Sequence, residues 1–256
     1  MVFGIVVYSS ITVVASGASS KLLSTISDNL TLNRAIYVTN IGISLNQLGK
    51  FNESIAFFNK ALSMDSKNIL ALTEKANALG GLGKYPGALI YYDKVLYINP
   101  KNVTALDNKG LSLYHLGNYT QAIAYYDKAL TLDPKYVLAL YDKGNALGAL
   151  KNYTQAIAYY DKALTLDPKY VLALIGKGYA LDNLGNHTGA QAYYDKTLDT
   201  DPRYIPALTE KANFVVKLGN YQLALIYYDK ALSIDPLNAQ AISGKKQSLD
   251  AMIQSK

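Results

Sequence analysis

Side chains that commonly act in catalysis or metal binding are few in this sequence of 256 residues, and they lie far apart. There is no cysteine, so disulfides and thiolate sites are excluded. His115 and His187 are the two histidines, and neither has an obvious set of further metal ligands beside it. No Ser/His/Asp arrangement or pair of carboxylates stands out. The sequence therefore predicts no enzyme, no metal site and no cofactor.

The glycine-rich stretch LGGLGKYPG, at residues 79–87, has one feature of a phosphate-binding loop. It places Gly83 before Lys84, but no Ser or Thr follows the lysine and no strand is expected before it. Pro86 suits the first turn of a helix. We therefore interpret this stretch as the end of one helix and the turn into the next.

The balance of charges does not favour a nucleic-acid partner. The chain carries 25 basic and 19 acidic residues, for a net charge of +6. However, only Arg34 and Arg203 are arginines, and arginine makes the bidentate contacts to guanine and phosphate that nucleic-acid readers use. The lysines are also spread along the chain rather than clustered. We therefore expect no nucleic acid to bind.

Six tripeptides fit the Asn-x-Ser/Thr pattern of N-glycosylation, and three of them are copies of one local sequence. The six begin at Asn29, Asn52, Asn102, Asn118, Asn152 and Asn186. The last three fall at the same position in a turn that we expect to be exposed. Asn118, Asn152 and Asn186 are therefore the candidate glycosylation sites.

These copies belong to a repeat. The stretch NYTQAIAYYDKALTLDPKYVLAL occurs at 118–140 and again, unchanged, at 152–174. An Asp-Pro pair and a Tyr-Tyr-Asp-Lys run recur at the same spacing of 34 residues along the chain. A fixed period of this length indicates a solenoid of stacked repeats. Six repeats result, at 35–68, 69–102, 103–136, 137–170, 171–204 and 205–238.

Within each repeat, two apolar runs with helical spacing are separated by a turn. In the repeat 103–136, Gly117 and Asn118 break the pattern, and Pro134 ends the second run. Neither helix can bury its apolar face alone, so the repeats must stack. Columns of small residues, such as Gly144 in the first helix and Ala156 in the second, predict close helix crossings. The aromatic column that contains Tyr126 predicts packing rather than a cofactor site.

This pattern resembles the tetratricopeptide repeat (TPR) family. The residues that carry the resemblance are Leu106, Gly110, Ala122, Tyr126, Ala129 and Pro134. The other repeats follow in register. Two departures are a leucine in place of the family's early tryptophan, and a lysine before the small residue of the first helix. The resemblance implies an all-α, right-handed superhelical solenoid of helix-turn-helix units, whose first helices line a concave groove for a peptide or partner protein.

By helical spacing, the groove face of the first helices is polar and aromatic but carries few charges. It comprises Asn77, Leu111, Tyr114, Tyr141, Asn145, Leu172, Ile175, Tyr179, Thr209 and Asn213. We expect an extended peptide or apolar segment there, with Tyr141, Ile175 and Tyr179 as anchors. The asparagines at alternate repeats either bind the peptide backbone or are simply the residue that is common in the family.

A lysine of the first helix accompanies an aspartate of the second helix in five repeats. Antiparallel helix pairing places Lys109 opposite Asp127, and Asp127 opposite Lys143 of the next repeat. The sequence thus predicts lysines and aspartates that alternate along the solenoid and end at Lys245. The alternative is two unrelated columns of solvated side chains.

The two ends of the chain do not fit the repeat. Residues 2–15 are almost uncharged, and Ala15, Ser16, Gly17 and Ala18 supply small residues for a cleavage site. Residues 1–18 are therefore interpreted as a secretory signal or membrane anchor, although a positively charged start is missing. Alternatively, they form an ordered segment that caps the first repeat. Residues 19–34 are predicted to form an N-terminal capping helix, and residues 239–256 a C-terminal capping helix. We expect a secreted or membrane-anchored protein, with a cytoplasmic one as the alternative.

Two functional classes fit these features. The first is a protein-interaction scaffold that binds a protein or peptide in the groove. The second is a self-associating extracellular protein that builds a fibre or coat by stacking its arrays. A monodisperse protein would indicate the first, and growth with concentration would indicate the second.

Overall fold

In a computed structural model, the chain is described over residues 3–254, with side chains from Ser24 onward except at residue 26. This part of the chain forms thirteen helices and no strand. The helices are α1 (Phe3–Gln47), α2 (Phe51–Met64), α3 (Ile69–Gly81), α4 (Tyr85–Ile98), α5 (Val103–His115), α6 (Tyr119–Leu132), α7 (Val137–Ala149), α8 (Tyr153–Leu166), α9 (Val171–Asn183), α10 (His187–Thr200), α11 (Ile205–Lys217), α12 (Tyr221–Ile234) and α13 (Ala239–Gln254). The all-α prediction is confirmed.

The chain divides into an N-terminal body, Met1–Ser112, and a C-terminal body, Leu113–Lys256. In the N-terminal body, α1 packs on α2, α2 on α3, and α3 on α4. In the C-terminal body, each helix from α6 to α12 packs on the next one. There α7 also contacts α9, α9 contacts α11, and α11 contacts α13. This pairing of successive helices confirms the prediction of helix-turn-helix repeats.

The turn inside each repeat depends on one residue with a left-handed backbone. Five repeats use glycine there, and Gly117 and Gly185 both have φ of 78°. The fourth repeat has Lys151 instead, with φ of 61°. An L-residue with a side chain is strained in this region, whereas glycine is not.

The turn between repeats depends on the Asp or Asn that follows the second helix. In most repeats a proline comes directly after this residue. Asp133 ends α6 with an extended backbone, and its Oδ1 accepts a hydrogen bond of 3.0 Å from the Lys135 amide. The same arrangement forms at Asp65, Asn99, Asp167, Asp201 and Asp235. A short side chain that accepts this bond stabilises the turn, which explains why Asp or Asn fills the column.

The aromatic column forms the centre of the packing, as predicted. Phe58, Tyr92, Tyr126, Tyr160, Tyr194 and Tyr228 are all buried. A Cβ atom at Gly144 would lie 2.5 Å from Tyr160 Cε1, and one at Gly178 would lie 2.9 Å from Tyr194 Cε1. Small residues in the first helix are therefore required by the ring of the second helix.

The N-terminal segment differs from the prediction. Residues 19–34 do not form a separate capping helix, because α1 continues without a break from Phe3 to Gln47. Its described side chains from Ser24 to Arg34 are exposed, and burial begins at Ala35. Neither glycine nor proline interrupts residues 19–34, so the helix of the first repeat extends through them. The side chains of residues 1–18, interpreted as a signal or anchor, lie outside the described residues.

Along the described part of the chain, no helix has both the length and the apolar character that crossing a membrane requires.

The last helix has a mostly exposed surface. In α13, Ala241 and Ser248 are buried, whereas Lys246 is exposed. Gly244 lies against α12, since a Cβ atom there would be 2.4 Å from Tyr228 Cζ. The helix thus packs on the preceding repeat through one narrow face.

Candidate functional site

A cavity of about 460 Å³ lies on the first helices of the C-terminal body. Tyrosine dominates its lining. The lining residues are Tyr114, Tyr141, Asn145, Gly148, Ala149, Tyr160, Leu172, Ile175, Gly176, Tyr179, Tyr204, Pro206 and Glu210. The volume is within the range of about 300–1,000 Å³ that is usual for ligand pockets.

Packed rings fix the shape of the cavity. The Tyr141 ring lies between Tyr160, at a centroid distance of 6.2 Å, and Tyr170, which it meets edge-on at 5.5 Å. Tyr160 comes from α8 and reaches the cavity past Gly176, where a Cβ atom would lie 2.9 Å from its Cζ. Tyr179 is accessible from solvent, because 46% of it is exposed. The cavity therefore combines held rings with one accessible ring.

The asparagines on the groove face bind tyrosines of their own repeats. Tyr160 Oη donates to Asn145 Oδ1 at 2.8 Å, and the same bond forms between Tyr92 and Asn77 and between Tyr228 and Asn213. Because each carbonyl oxygen already accepts from a buried hydroxyl, these contacts favour the packing interpretation of the asparagine column.

Burial favours the neutral phenol form of Tyr114, Tyr141 and Tyr160 in the cavity. Burial raises the pKa of Tyr141 to about 12, against a hydrogen bond with Asn145 that lowers it, and the negative charge of Asp142 raises it further. Burial is also the largest cause of the raised pKa of Tyr114 and Tyr160. The phenol groups therefore present polar, uncharged hydroxyls and electron-rich ring faces.

Acidic side chains adjoin the cavity. Glu210 lies in its wall and accepts a hydrogen bond of 3.3 Å from Gln240. Asp142 is partly buried beside Tyr141, and burial raises the pKa of its carboxyl to about 7. Among the described side chains that line the cavity, none is basic. A positive group would therefore meet no repulsion from the lining.

The lysines of the first helices do not line the cavity and form a network of ion pairs instead. Each pairs with the aspartate of the preceding repeat, as in Lys143–Asp127. The others are Lys109–Asp93 in the N-terminal body, and Lys177–Asp161, Lys211–Asp195 and Lys245–Asp229 in the C-terminal body. The predicted pairing between repeats is thus confirmed.

The predicted pairing within a repeat is wrong in the C-terminal body. None of the described lysines there lies within 4.0 Å of the aspartate in its own repeat. Instead, Lys143 Nζ donates to Tyr159 Oη at 2.7 Å, and Lys177 Nζ donates to Tyr193 Oη at 2.7 Å. Residues two apart on a helix point to opposite sides. The tyrosine therefore faces its own repeat, while the aspartate faces the next one.

These contacts also affect the lysine charge. Burial opposes the charged form of Lys143, but hydrogen bonds to Asp127 and Tyr159 outweigh it and raise the pKa. Lys177 shows the same balance with Asp161 and Tyr193. The lysines therefore stay charged and held by their partners.

Six of the ten groove residues predicted from the sequence line the cavity: Tyr114, Tyr141, Asn145, Leu172, Ile175 and Tyr179. Thr209 was wrongly included, since it is 1% exposed and its hydroxyl donates to the Ile205 carbonyl. Asn213 is held by Tyr228 outside the lining. Asn77 and Leu111 belong to the N-terminal body, where Asn77 also accepts a bond from Asn108.

Several lining residues were missed because they come from positions assigned to packing or turns. Tyr160 belongs to the aromatic packing column, and Tyr204 ends a repeat just before α11. Glu210 has a signal in the sequence, because its column carries an acid in alternate repeats, at Glu74, Asp142 and Glu210. That column lies three residues before the alternating asparagines. One helical turn separates them, so both columns share a face.

The candidate glycosylation sites lie in exposed turns. Asn118, Asn152 and Asn186 each precede a second helix of a repeat. The Oδ1 atoms of Asn152 and Asn186 accept capping bonds from backbone amides, at 3.4 Å and 2.9 Å. A glycan would be attached to Nδ2, so the cap and the sugar use different atoms.

Comparison with protein families accounts for most of the chain. Residues 106–136 and 137–170 match one family model described as tetratricopeptide repeat. Residues 36–68, 70–102, 172–204 and 205–236 match a second model with the same description. These segments correspond to the six repeats read from the sequence. No curated protein matches the chain.

Solved structures share the fold. A tetratricopeptide repeat protein from Parabacteroides merdae is 23% identical, with a TM-score of 0.73 and coverage of 84% of each chain. The Cut9–Hcn1 hetero-tetramer of the APC/C gives 20% identity and a TM-score of 0.75 over 88% of this chain, which spans 45% of that one. YrrB, described as a TPR protein with an unusual peptide-binding site, is 25% identical over 74% of this chain and 97% of its own, with a TM-score of 0.53.

Proposed function

The chain belongs to the tetratricopeptide repeat family, and we propose that it is a protein-interaction scaffold that binds an extended segment of a partner in the tyrosine-lined cavity. The observation that carries this proposal is the cavity itself. It combines apolar walls from Leu172, Ile175 and Pro206 with phenol hydroxyls that suit a peptide backbone. The fold is typically that of a scaffold without catalytic activity.

Two further features support this site. Tyr141 is held by neighbouring rings, so binding would cost little side-chain entropy there. Tyr179 is accessible and lies on the next first helix, so one segment could contact both rings. The unusual peptide-binding site of YrrB shows that a protein with this fold can bind a peptide.

The test uses peptides selected on the protein from a random library displayed on phage. Truncation of an anchor costs about 2 kcal/mol or more, so Tyr141→Ala with Tyr179→Ala should weaken a selected peptide at least about 30-fold. Tyr37→Ala with Tyr97→Ala removes two exposed tyrosines of the N-terminal body and should leave the affinity unchanged. Urea unfolding of each variant checks that the array is intact. Equal affinity in both double variants would place the binding site elsewhere.

Self-association is the second candidate function, and exposed apolar side chains support it. In α1, Ile36 and Tyr37 are 46% and 66% exposed. In α13, Ile242, Leu249 and Ile253 are 47%, 43% and 72% exposed. Such side chains on terminal helices could join one array to another. Light scattering over a range of concentrations tests this candidate, because a monodisperse protein would exclude it.

We also propose that the protein acts outside the cytoplasm, either secreted or anchored to a membrane. This rests on the apolar sequence of residues 1–18 and on the exposed positions of Asn118, Asn152 and Asn186. Cytoplasmic action is the alternative, and the intact mass of the native protein separates the two.

A further inference from the structure

We propose that the tyrosine-lined cavity selects a partner segment by a basic side chain, with arginine preferred, which enters between the tyrosine rings and pairs with Glu210. This inference deepens the proposed peptide-binding function and rests on it. It specifies the chemistry of the residue that the cavity recognises, and that preference can be tested separately from peptide binding itself.

The first argument is the distribution of charge. The protein has a net charge of +6, yet among the described residues that line the cavity Glu210 alone is charged. Lys143, Lys177 and Lys211 lie on α7, α9 and α11, the helices that form most of the cavity, and each pairs with an aspartate of the preceding repeat. The first helices therefore keep their positive charges in the ion-pair network and place a negative charge at the cavity.

The second argument is the character of the rings. Tyr114, Tyr141, Tyr160 and Tyr179 contribute phenol rings and hydroxyls. A guanidinium group stacks on such rings and donates hydrogen bonds to their hydroxyls. An acidic side chain would instead face electron-rich rings and the carboxylate of Glu210, and it would be repelled. An apolar side chain would partly desolvate the Glu210 carboxylate and offer it no hydrogen bond in place of the lost water.

The third argument is that the chain itself uses this chemistry on the same helices, α7 and α9. Lys143 Nζ lies 4.2 Å from the ring centroid of Tyr159 and pairs with Asp127. Lys177 Nζ likewise lies 4.3 Å from the ring centroid of Tyr193, and it pairs with Asp161. Each group joins a cation, a tyrosine and a carboxylate. The cavity contains the tyrosines and a carboxylate, so a cation from a partner would complete the same group.

The test compares two blocked peptides of sequence Gly-Ser-Leu-Xaa-Leu-Ser-Gly, in which Xaa is arginine or citrulline. Citrulline has the shape of arginine without its charge. Titrations followed by NMR would use the amide signals of Gly148 and Gly176, which line the cavity. We expect the arginine peptide to bind at least about fivefold more tightly, as a cation–π contact and a partly exposed ion pair together allow.

Two variants locate the effect. Glu210→Gln should remove most of the preference for arginine, because it keeps the shape of the side chain but not its charge. Asp199→Asn changes the net charge equally at an exposed position on α10 and should leave the preference intact.

The outcomes separate the two proposals. Equal binding of the two peptides at the cavity would overturn the basic preference and leave peptide binding in place. A preference that survives in Glu210→Gln would also overturn the assigned role of Glu210. If neither peptide shifts the Gly148 and Gly176 signals, the basic preference is wrong. If the phage-selected peptides also ignore the Tyr141 and Tyr179 substitutions, peptide binding at this cavity is wrong as well.

Discussion

Lys143 pairs with Asp127, which belongs to the preceding repeat, and not with Asp161 of its own repeat. This relationship recurs along both bodies, so the ion pairs link neighbouring repeats rather than the two helices of one repeat. The lysine is largely buried, whereas the aspartate is about half exposed. Its contribution to stability is therefore reduced by solvent screening.

A double-mutant cycle tests the pairing. Lys143→Met combined with Asp127→Asn should show a coupling energy of roughly 0.5–1 kcal/mol in urea unfolding, because the two side chains are in contact. The matched cycle of Lys143→Met with Asp161→Asn should show coupling near zero. Equal coupling in both cycles would contradict pairing between repeats.

The turn at Lys151 predicts a stabilising substitution. Lys151 has a left-handed backbone with φ of 61°, at a position where the other repeats have glycine. Lys151→Gly should raise the free energy of unfolding by about 1 kcal/mol, because the strain of the side chain is removed. Lys151→Ala keeps a Cβ atom and should give no such gain. Gly185→Lys should lower stability by a similar amount, and a stabilised Gly185→Lys protein would contradict this account.

Substitution by alanine should change the stability differently at two glycines of α7. A Cβ atom at Gly144 would lie 2.5 Å from Tyr160 Cε1, whereas one at Gly148 would lie 3.9 Å from Tyr160 Oη, an ordinary contact. Gly144→Ala should therefore destabilise the protein by about 1–3 kcal/mol through overpacking. Gly148→Ala should be neutral, or stabilising by up to about 1 kcal/mol through helix propensity. Urea unfolding of both variants decides the matter, and similar losses at both positions would argue against the tight contact at Gly144.

Much of the fold could be predicted from sequence because the period of 34 residues fixes the helices, the turns and the packing columns together. The prediction of a separate helix at 19–34 was wrong because it followed the repeat period, although no helix-breaking residue marks that boundary. The six cavity residues predicted from the sequence all lie on first helices, where their side chains are half-buried or exposed. Tyr160 was missed because its place depends on how closely successive helices approach, and the periodicity of one helix does not contain that distance. Glu210 was missed although its acidic column shares a helix face with the alternating asparagines.

Export remains a prediction with a direct measurement. If residues 1–18 direct secretion in a cell that performs N-glycosylation, Asn118, Asn152 and Asn186 should carry glycans, since all three are exposed. Intact mass of the native protein would show them. Thr120→Ala, Thr154→Ala and Thr188→Ala should each remove one glycan while keeping the asparagine. An unmodified mass that includes residues 1–18 would count against both export and glycosylation.

The buried carboxyl of Asp142 predicts a pH-dependent stability. Burial raises its pKa from 3.8 to about 7. Between about pH 4 and pH 7, the native state therefore holds a proton that the unfolded state has lost, so the free energy of unfolding falls as pH rises. Above about pH 7 the Asp142 carboxyl is ionised in both the native and the unfolded state, and the loss of stability is complete.

Asp142→Asn removes this ionisation without changing the shape of the side chain. Compared with the parent protein, the variant should be more stable at pH 8 by up to about 4 kcal/mol, which is the limit set by a shift of about three pKa units. Near pH 4 the difference should shrink, because Asp142 is then protonated in the native parent protein. Urea unfolding at pH 4, 6 and 8 measures the trend, with Asp199→Asn as the control for loss of one negative charge at an exposed position. A difference between parent and Asp142→Asn that stays constant across this range would mean that the Asp142 carboxyl ionises normally in the folded protein.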